Sequence, residues 1–146
     1  MEPVMTICVV DGQGGGIGSA VIKRLKEEFE ERIEIIALGT NAIATANMLK
    51  ARANKGASGE NAIVRTVAMA DIIIGPLNIL AAHSMLGEIT PKMAEAIGKS
   101  NARKVLIPLI RESLEVVGVV SEPLPHLIER IVQNHIKPYM TLINKE

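Results

Sequence analysis

Short β-branched runs alternate with amphipathic segments along this chain, and the alternation predicts a three-layer α/β/α domain with a mostly parallel sheet. Residues 4–10 are an almost continuous apolar run that ends in Asp-Gly, typical of a strand buried on both faces. A glycine-rich turn follows at residues 12–18, and apolar residues then recur every four positions from Ile17 to Phe29, which indicates a helix. Strand, glycine turn and helix form the first half of a βαβ unit, so we predict a Rossmann-like fold.

The later segments repeat this order. Further strands are predicted at residues 32–39, 71–76 and 103–110, and helices at 41–54, 59–70, 78–86, 91–100 and 125–137. Thr40 or Asn41 is expected to cap the second helix, and Gly56 to follow its end. Thr90 and Pro91 provide a cap and a first-turn proline for a later helix, whereas Pro138 is expected to break the last one.

The carboxyl-terminal third leaves the edge of the sheet open to two interpretations. Arg111-Glu112-Ser113 is a polar interruption before the β-branched residues 114–120, so a fifth strand could form a hairpin with the fourth and run antiparallel. We expect about five strands, in the order 3-2-1-4-5 or 2-1-3-4-5. By length, residues 1–146 are expected to form one domain.

Composition excludes several classes of function. The 16 basic and 16 acidic residues give a net charge of zero, and Phe29 and Tyr139 are the only aromatic residues. The chain therefore lacks both the positive field and the stacking surfaces of nucleic-acid binders. His126 and His135 are not spaced to converge on a metal, so no metal site is expected.

The sequence contains no pattern typical of a signal peptide or a membrane span. Cys8 is the only cysteine, which fits a reducing compartment, and we predict a cytoplasmic protein without a membrane partner. Much of the chain is apolar, and its late helices carry apolar residues such as Met85 and Leu86. Core packing explains most of them, but some apolar surface is expected to remain. A homodimer would cover such a surface.

The loop "DGQGGGIG" places five glycines within seven residues, between a predicted strand and a predicted helix. Bare backbone permits close approach, and a helix N-terminus presents free N–H groups and a positive dipole. A small phosphate-bearing ligand is therefore the expected partner. The residues predicted to bind it lie in this loop and after the second and third strands: Asp11, Gly12, Gln13, Gly14, Gly15, Gly16, Ile17, Gly18, Thr40, Asn41, Gly75 and Asn78.

The spacing Gly12-x-x-x-Gly16-Ile17-Gly18 resembles the cofactor loop of short-chain dehydrogenases, with Asp11 where that family commonly has threonine. The resemblance implies NAD(P) or another nucleotide as the candidate cofactor. Two departures count against dehydrogenase chemistry. "LGTNAIAT" after the second strand has neither a ribose-binding acid nor an arginine, and Tyr139 has Ile143, not lysine, four residues on.

The segments "DGQGGGIG", "ALGTNAIAT", "GENAI", "DIIIGP" and "SMLGEITPKMAEAIG" together resemble a family of short bacterial proteins that is a domain of unknown function. This resemblance spans nearly the whole chain. It implies a Rossmann-like fold and assigns no catalytic residue.

Three functions follow as hypotheses. The favoured one is a sensor or regulatory module that binds a nucleotide or phosphorylated metabolite. The second is a small nucleotide-dependent enzyme that uses residues such as Asp11, Asn41, Asn78 or His83, completed across a dimer. The third is an oligomeric scaffold whose glycine turn binds nothing.

Overall fold

The computed structural model describes residues 2–109 and 113–144. Strands and helices alternate through most of this length. Two 3-10 turns, Glu30–Arg32 and Leu77–Leu80, and a π-helical turn, Ile131–Ile136, join longer elements. The strands and α-helices in chain order are β1 Met5–Asp11, α1 Gly16–Phe29, β2 Ile33–Gly39, α2 Ala42–Lys50, β3 Lys55–Ser58, α3 Glu60–Val67, β4 Ile72–Pro76, α4 Pro91–Lys99, β5 Arg103–Ile107, α5 Leu124–Arg130 and α6 Lys137–Asn144.

The five strands form one sheet in the order β3-β2-β1-β4-β5, and every pair is parallel. β1 lies in the centre, with Asp11 opposite Gly39 of β2. The chain builds β1, β2 and β3 toward one edge and then returns to place β4 on the other side of β1. The point between β1 and β4 is therefore the switch point of the sheet, where ligands bind in folds of this kind.

Helices cover both faces of the sheet because the side chains of each strand alternate between them. Ile7 and Val9 of β1 face the core under α1, α2, α5 and α6, whereas Cys8 and Val10 face the core under α3 and α4. All four side chains are fully buried. Burial raises the pKa of the Cys8 thiol to about 12, so this cysteine is unreactive in the folded protein.

The Rossmann-like fold is confirmed, and the strand predictions at 4–10, 32–39 and 71–76 match β1, β2 and β4 closely. The order 3-2-1-4-5 was one of the two predicted, but the strand predicted third, at residues 71–76, is β4, and an unpredicted strand is β3. Lys55–Ser58, where Gly56 was expected only to follow a helix, pairs with β2 as a short edge strand. Its sequence, KGAS, has no apolar run because an exposed edge strand buries little.

The antiparallel alternative was wrong. β5 pairs with β4 in parallel, and residues 113–123 form no strand. β5 ends at Ile107, so the fourth strand, predicted at residues 103–110, was too long. Arg111 and Glu112 of the predicted polar interruption lie outside the described residues.

The helix predicted at residues 78–86 was also wrong. After the 3-10 turn the backbone follows a series of tight turns, with positive φ angles at His83, Met85 and Leu86. Three non-glycine residues in this conformation cannot continue an α-helix.

Pro138 does not end the last helix. The π-helical turn precedes it, and α6 continues to Asn144. The Lys137 N–H bonds to the Val132 carbonyl with the wider spacing of a π-helix, so the hydrogen-bond ladder changes just before the proline that lacks an N–H. Within the described residues, no helix is long and apolar enough to cross a membrane.

Candidate functional site

A cavity of about 220 Å³ opens at the carboxyl ends of β1 and β4. The glycine loop that joins β1 to α1 forms one wall. The turn after β4 forms the opposite wall together with Leu109, which follows β5. The lining residues are Asp11, Gly12, Gln13, Gly14, Gly15, Gly16, Ile17, Pro76, Asn78, Met85 and Leu109. The cavity therefore lies at the switch point of the sheet.

The Asp11 carboxylate links the two ends of the glycine loop by hydrogen bonds to backbone N–H groups. Its carboxylate accepts hydrogen bonds from the N–H groups of Gly12 and Gly18, each at 2.8 Å, and from that of Ile17. The side chain is buried, and this burial raises the pKa of Asp11, against the lowering effect of the three N–H donors. Asp11 thus satisfies amides in the first turn of α1, which is a structural role.

Three glycines of the loop are required by packing. A Cβ at Gly12 would lie 2.5 Å from Met85 Sδ and 2.6 Å from Thr40 Oγ1. A Cβ at Gly15, where φ is +71°, would lie 2.7 Å from the carbonyl oxygen of Ala44, and one at Gly18 would lie 2.6 Å from Met48 Sδ. A side chain at any of these positions would force neighbouring atoms to move.

Gly14 and Gly16 have no such requirement. A Cβ at either position would have no atom within 4 Å, and neither residue has a positive φ. Their N–H groups have no acceptor among the described residues, whereas the N–H groups of Gly12, Gln13, Gly15 and Gly18 all do. Both glycines line the cavity, and Gly16 is the first residue of α1. Packing therefore does not explain why glycine occupies these two positions.

Glu88 lies beside the glycine loop, at the carboxyl end of β2. Its Oε1 atom accepts hydrogen bonds from the Gln13 N–H at 2.9 Å, from Asn41 Nδ2 at 2.9 Å and from the Thr40 hydroxyl. Burial alone would raise the pKa of Glu88, but these three hydrogen bonds outweigh it, so the pKa is lower than the ordinary value. The contacts fasten the turns at residues 81–89 to the glycine loop.

Replacement of Glu88 by glutamine tests this fastening through pH. Because the folded state lowers the pKa of Glu88 below its ordinary value of 4.5, its stabilising contribution is present above that pH and is lost as the pH falls through the folded value. We expect Glu88→Gln to be less stable than wild type at about pH 6, with a difference that shrinks toward about pH 3. Thermal melting across this range measures it. Parallel curves for the two proteins would contradict the assignment.

Asn78 supplies the polar group on the opposite wall. It follows β4, is 8% exposed, and its Oδ1 atom has no hydrogen-bond donor among the described residues. Its backbone carbonyl is held by the Ser84 hydroxyl at 2.6 Å. A buried amide oxygen without a partner costs free energy, so this group is suited to a ligand that supplies a donor.

Four of the predicted binding residues lie outside the cavity wall. Thr40 and Asn41 instead hold Glu88, and the Asn41 side chain also caps α2 by accepting the Ala44 N–H at 2.8 Å. Gly18 packs inside the first turn of α1. Gly75 lies within β4, where a Cβ would lie 2.5 Å from the Val10 carbonyl oxygen.

Sequence reasoning did not assign Met85, Glu88 or Leu109 to the ligand site. Leu109 could have been found with the rule that selected Asn78, since it follows a strand that ends at the same edge of the sheet. Met85 lies in the segment that was predicted as helix, and Glu88 lies two residues after the end of that segment. Ser84, next to the His83 of the enzyme hypothesis, is not free to act as a nucleophile, because its buried hydroxyl donates to the Asn78 carbonyl oxygen. Among the described residues, no cluster of three or more His, Cys, Asp or Glu side chains could hold a metal.

Comparison with known proteins places the chain in a family. The sequence pattern of a domain of unknown function, DUF3842, matches residues 6–140. The chain belongs to this family. The expected membership in an uncharacterised family is thereby confirmed. No curated protein matches the chain. Among solved structures it is similar to a protein described as a dodecameric FMN-dependent UbiX-like decarboxylase from Escherichia coli O157:H7, with 13% identity over 93% of this chain and 94% of that one and a TM-score of 0.45.

Proposed function

We propose that this chain is a cytoplasmic binding module that holds a small phosphorylated metabolite or mononucleotide in the cavity at the glycine loop, in a sensing or regulatory role. One observation carries the proposal. Gly14 and Gly16 line the cavity with unpartnered N–H groups, at the positive end of α1, and packing does not require either glycine. A phosphate oxygen that accepts from these two groups would explain why both positions are bare.

Asn78 supports the proposal independently. Its buried amide lies on the opposite wall of the same cavity and lacks a donor. A hydroxyl or amine on the body of the ligand would supply one while the phosphate occupies the helix terminus. The ligand would then be held at two ends by groups that now have no partner.

The size and surroundings of the cavity favour a compact ligand over a dinucleotide. Its volume, about 220 Å³, lies below the roughly 300 to 1,000 Å³ of pockets for drug-sized molecules. Glu88 and its three donors also occupy the end of β2, where dinucleotide-binding folds contact a ribose. NAD(P) would therefore require the turns at residues 81–89 to move, whereas a monophosphate would not.

The charge of the site limits which phosphates bind well. Among the residues that the structure describes, no lysine or arginine lines the cavity, and the carboxylate of Asp11 at its base opposes an anion. The N–H donors on that carboxylate and the dipole of α1 offset the repulsion, and a bound Mg²⁺ would offset it further. Binding of a phosphate dianion is accordingly expected to improve when magnesium is present.

Thermal melting against a panel of phosphates tests the proposal. The panel comprises inorganic phosphate, sugar phosphates, AMP, FMN, ATP, GTP, FAD, NAD and NADP, each with and without magnesium, and S-adenosylmethionine as a ligand without phosphate. A ligand at a hundred times its dissociation constant adds about 2.7 kcal/mol and should raise the midpoint by roughly 5 to 10 °C. We expect the monophosphates to give larger shifts than NAD or NADP. If no phosphate compound shifts the midpoint, the glycine loop is a structural turn and the scaffold hypothesis replaces this one.

A further inference from the structure

The outer edge of β5 is the open side of the sheet beyond the candidate site. β5 is the last strand in the order, so its outward N–H and C=O groups pair with no strand among the described residues. A groove of about 560 Å³ runs along this edge, between β5, α5 with the π-helical turn that follows it, and residues 118–120. Its lining combines the apolar residues Val105, Ile107, Leu127 and Ile131 with charged residues that include Arg103, Lys104, Glu122 and Arg130. Exposed strand edges of this kind are sites of strand addition.

The same chain carries a segment that suits this groove. Residues 114–120, Leu-Glu-Val-Val-Gly-Val-Val, have the composition of a strand, yet they form none. All five aliphatic side chains are exposed, with Val117 at 100% and Val120 at 77%. Within this segment the backbone makes one hydrogen bond among the described residues, from the Val119 N–H to the Val116 carbonyl at 3.4 Å. An exposed apolar segment of this length normally marks an interaction surface.

We propose that the chain forms a twofold dimer in which residues 114–120 of each copy add as a strand to the β5 edge of the other. The groove and the segment that would fill it belong to one sequence, so a twofold axis would use both pairs at once and close the assembly. The seven residues of the segment are long enough to pair along all five residues of β5, Arg103–Ile107. The occupant is therefore a second copy of this chain.

The charges of the two surfaces are complementary. The β5 edge carries Arg103 and Lys104, whereas the segment at residues 114–120 carries Glu115. Neither Arg103 nor Glu115 has an ion-pair partner among the described residues, while the nearby Arg130 already pairs with Glu122 at 2.7 Å. The free basic residue on one copy would thus meet the free acidic residue on the other.

The interface adjoins the cavity at the glycine loop. Leu109 lines that cavity and also contributes to a second depression, formed with Val116, Val119 and Val120. In the proposed dimer, residues 114–120 of the partner subunit would take the place of the chain's own segment beside Leu109 and fix the position of this side chain. The dimer does not depend on the phosphate proposal, since every residue of the pairing surfaces lies outside the glycine loop.

Light scattering and amide hydrogen exchange test the interface. Wild type is expected to have twice the 15.7 kDa mass of one chain and slow exchange at residues 114–120. Val117→Lys with Val120→Lys should give the mass of a single chain and rapid exchange of this segment, with an unchanged melting cooperativity, because both side chains project into solvent in the isolated chain. Leu86→Lys is the matched control, since Leu86 is 95% exposed but lies on the turns beside the glycine loop.

Three results would overturn the proposal. The first is a wild-type protein with the mass of one chain at every concentration. The second is a dimer that survives the double valine substitution or is dissociated by Leu86→Lys. The third is a dimer in which residues 114–120 exchange as rapidly as an unpaired loop.

Discussion

Gly16→Val is expected to abolish phosphate binding while the protein stays folded. The position has no positive φ, and its Cβ would meet no atom within 4 Å, so valine costs little stability there. Its branched side chain would cover the N–H groups at the start of α1. Loss of hydrogen bonds to a charged group removes about 3 kcal/mol, which corresponds to roughly 100-fold weaker binding in a calorimetric titration with the strongest monophosphate of the panel.

Gly15→Val is the matched control for this prediction. Gly15 has φ +71°, and a Cβ there would lie 2.7 Å from the Ala44 carbonyl oxygen, so valine should lower the melting temperature strongly. The two neighbouring glycines thus separate a binding role from a folding role. A Gly16→Val protein that binds as tightly as wild type would mean that the phosphate does not reach the terminus of α1.

Asp11→Ala is expected to destabilise the fold more than any substitution at the rim of the cavity. The change leaves the N–H groups of Gly12, Ile17 and Gly18 without their acceptor. Buried donors without a partner cost about 1 to 3 kcal/mol each, and water admitted through the cavity can satisfy some of them. A loss of about 3 kcal/mol is expected, which lowers the melting midpoint by roughly 10 °C.

Asp11→Asn distinguishes this structural role from a chemical one. Gly12 and Gly18 donate to different carboxylate oxygens, and asparagine keeps only one oxygen, so it can retain only one of these two hydrogen bonds. The loss of stability should therefore lie between those of wild type and Asp11→Ala. If Asp11→Asn instead melted like wild type and abolished turnover of a substrate, Asp11 would be a catalytic residue and the enzyme hypothesis would be favoured.

The central strands were predictable because they are buried on both faces. β1, β2 and β4 need apolar side chains at successive positions, and the sequence shows them as continuous runs. β3 was not predictable in this way, since an edge strand of four residues buries too little to leave a pattern. Residues 114–120 were wrongly predicted as a strand for the opposite reason. They have the composition of a strand but pair with no strand among the described residues.

The site was predictable where it depends on the ends of strands. The glycine loop and Asn78 follow β1 and β4, and the general rule for parallel sheets brings them together. The individual roles of the glycines were not predictable, because they depend on distant residues: Ala44 lies against Gly15, and Met48 lies against Gly18. The contact of Glu88 with the glycine loop was not predictable, because it depends on turns whose left-handed residues give no sequence signal.

Titration of the ¹⁵N-labelled protein with inorganic phosphate, followed by amide NMR, tests the central claim most directly. We expect the Gly14 and Gly16 amide signals to move the most and approach saturation, while the Gly12 and Gly18 signals, whose N–H groups already donate to Asp11, move less. Saturable shifts confined to another surface, or none at any phosphate concentration, would contradict a phosphate site at the glycine loop.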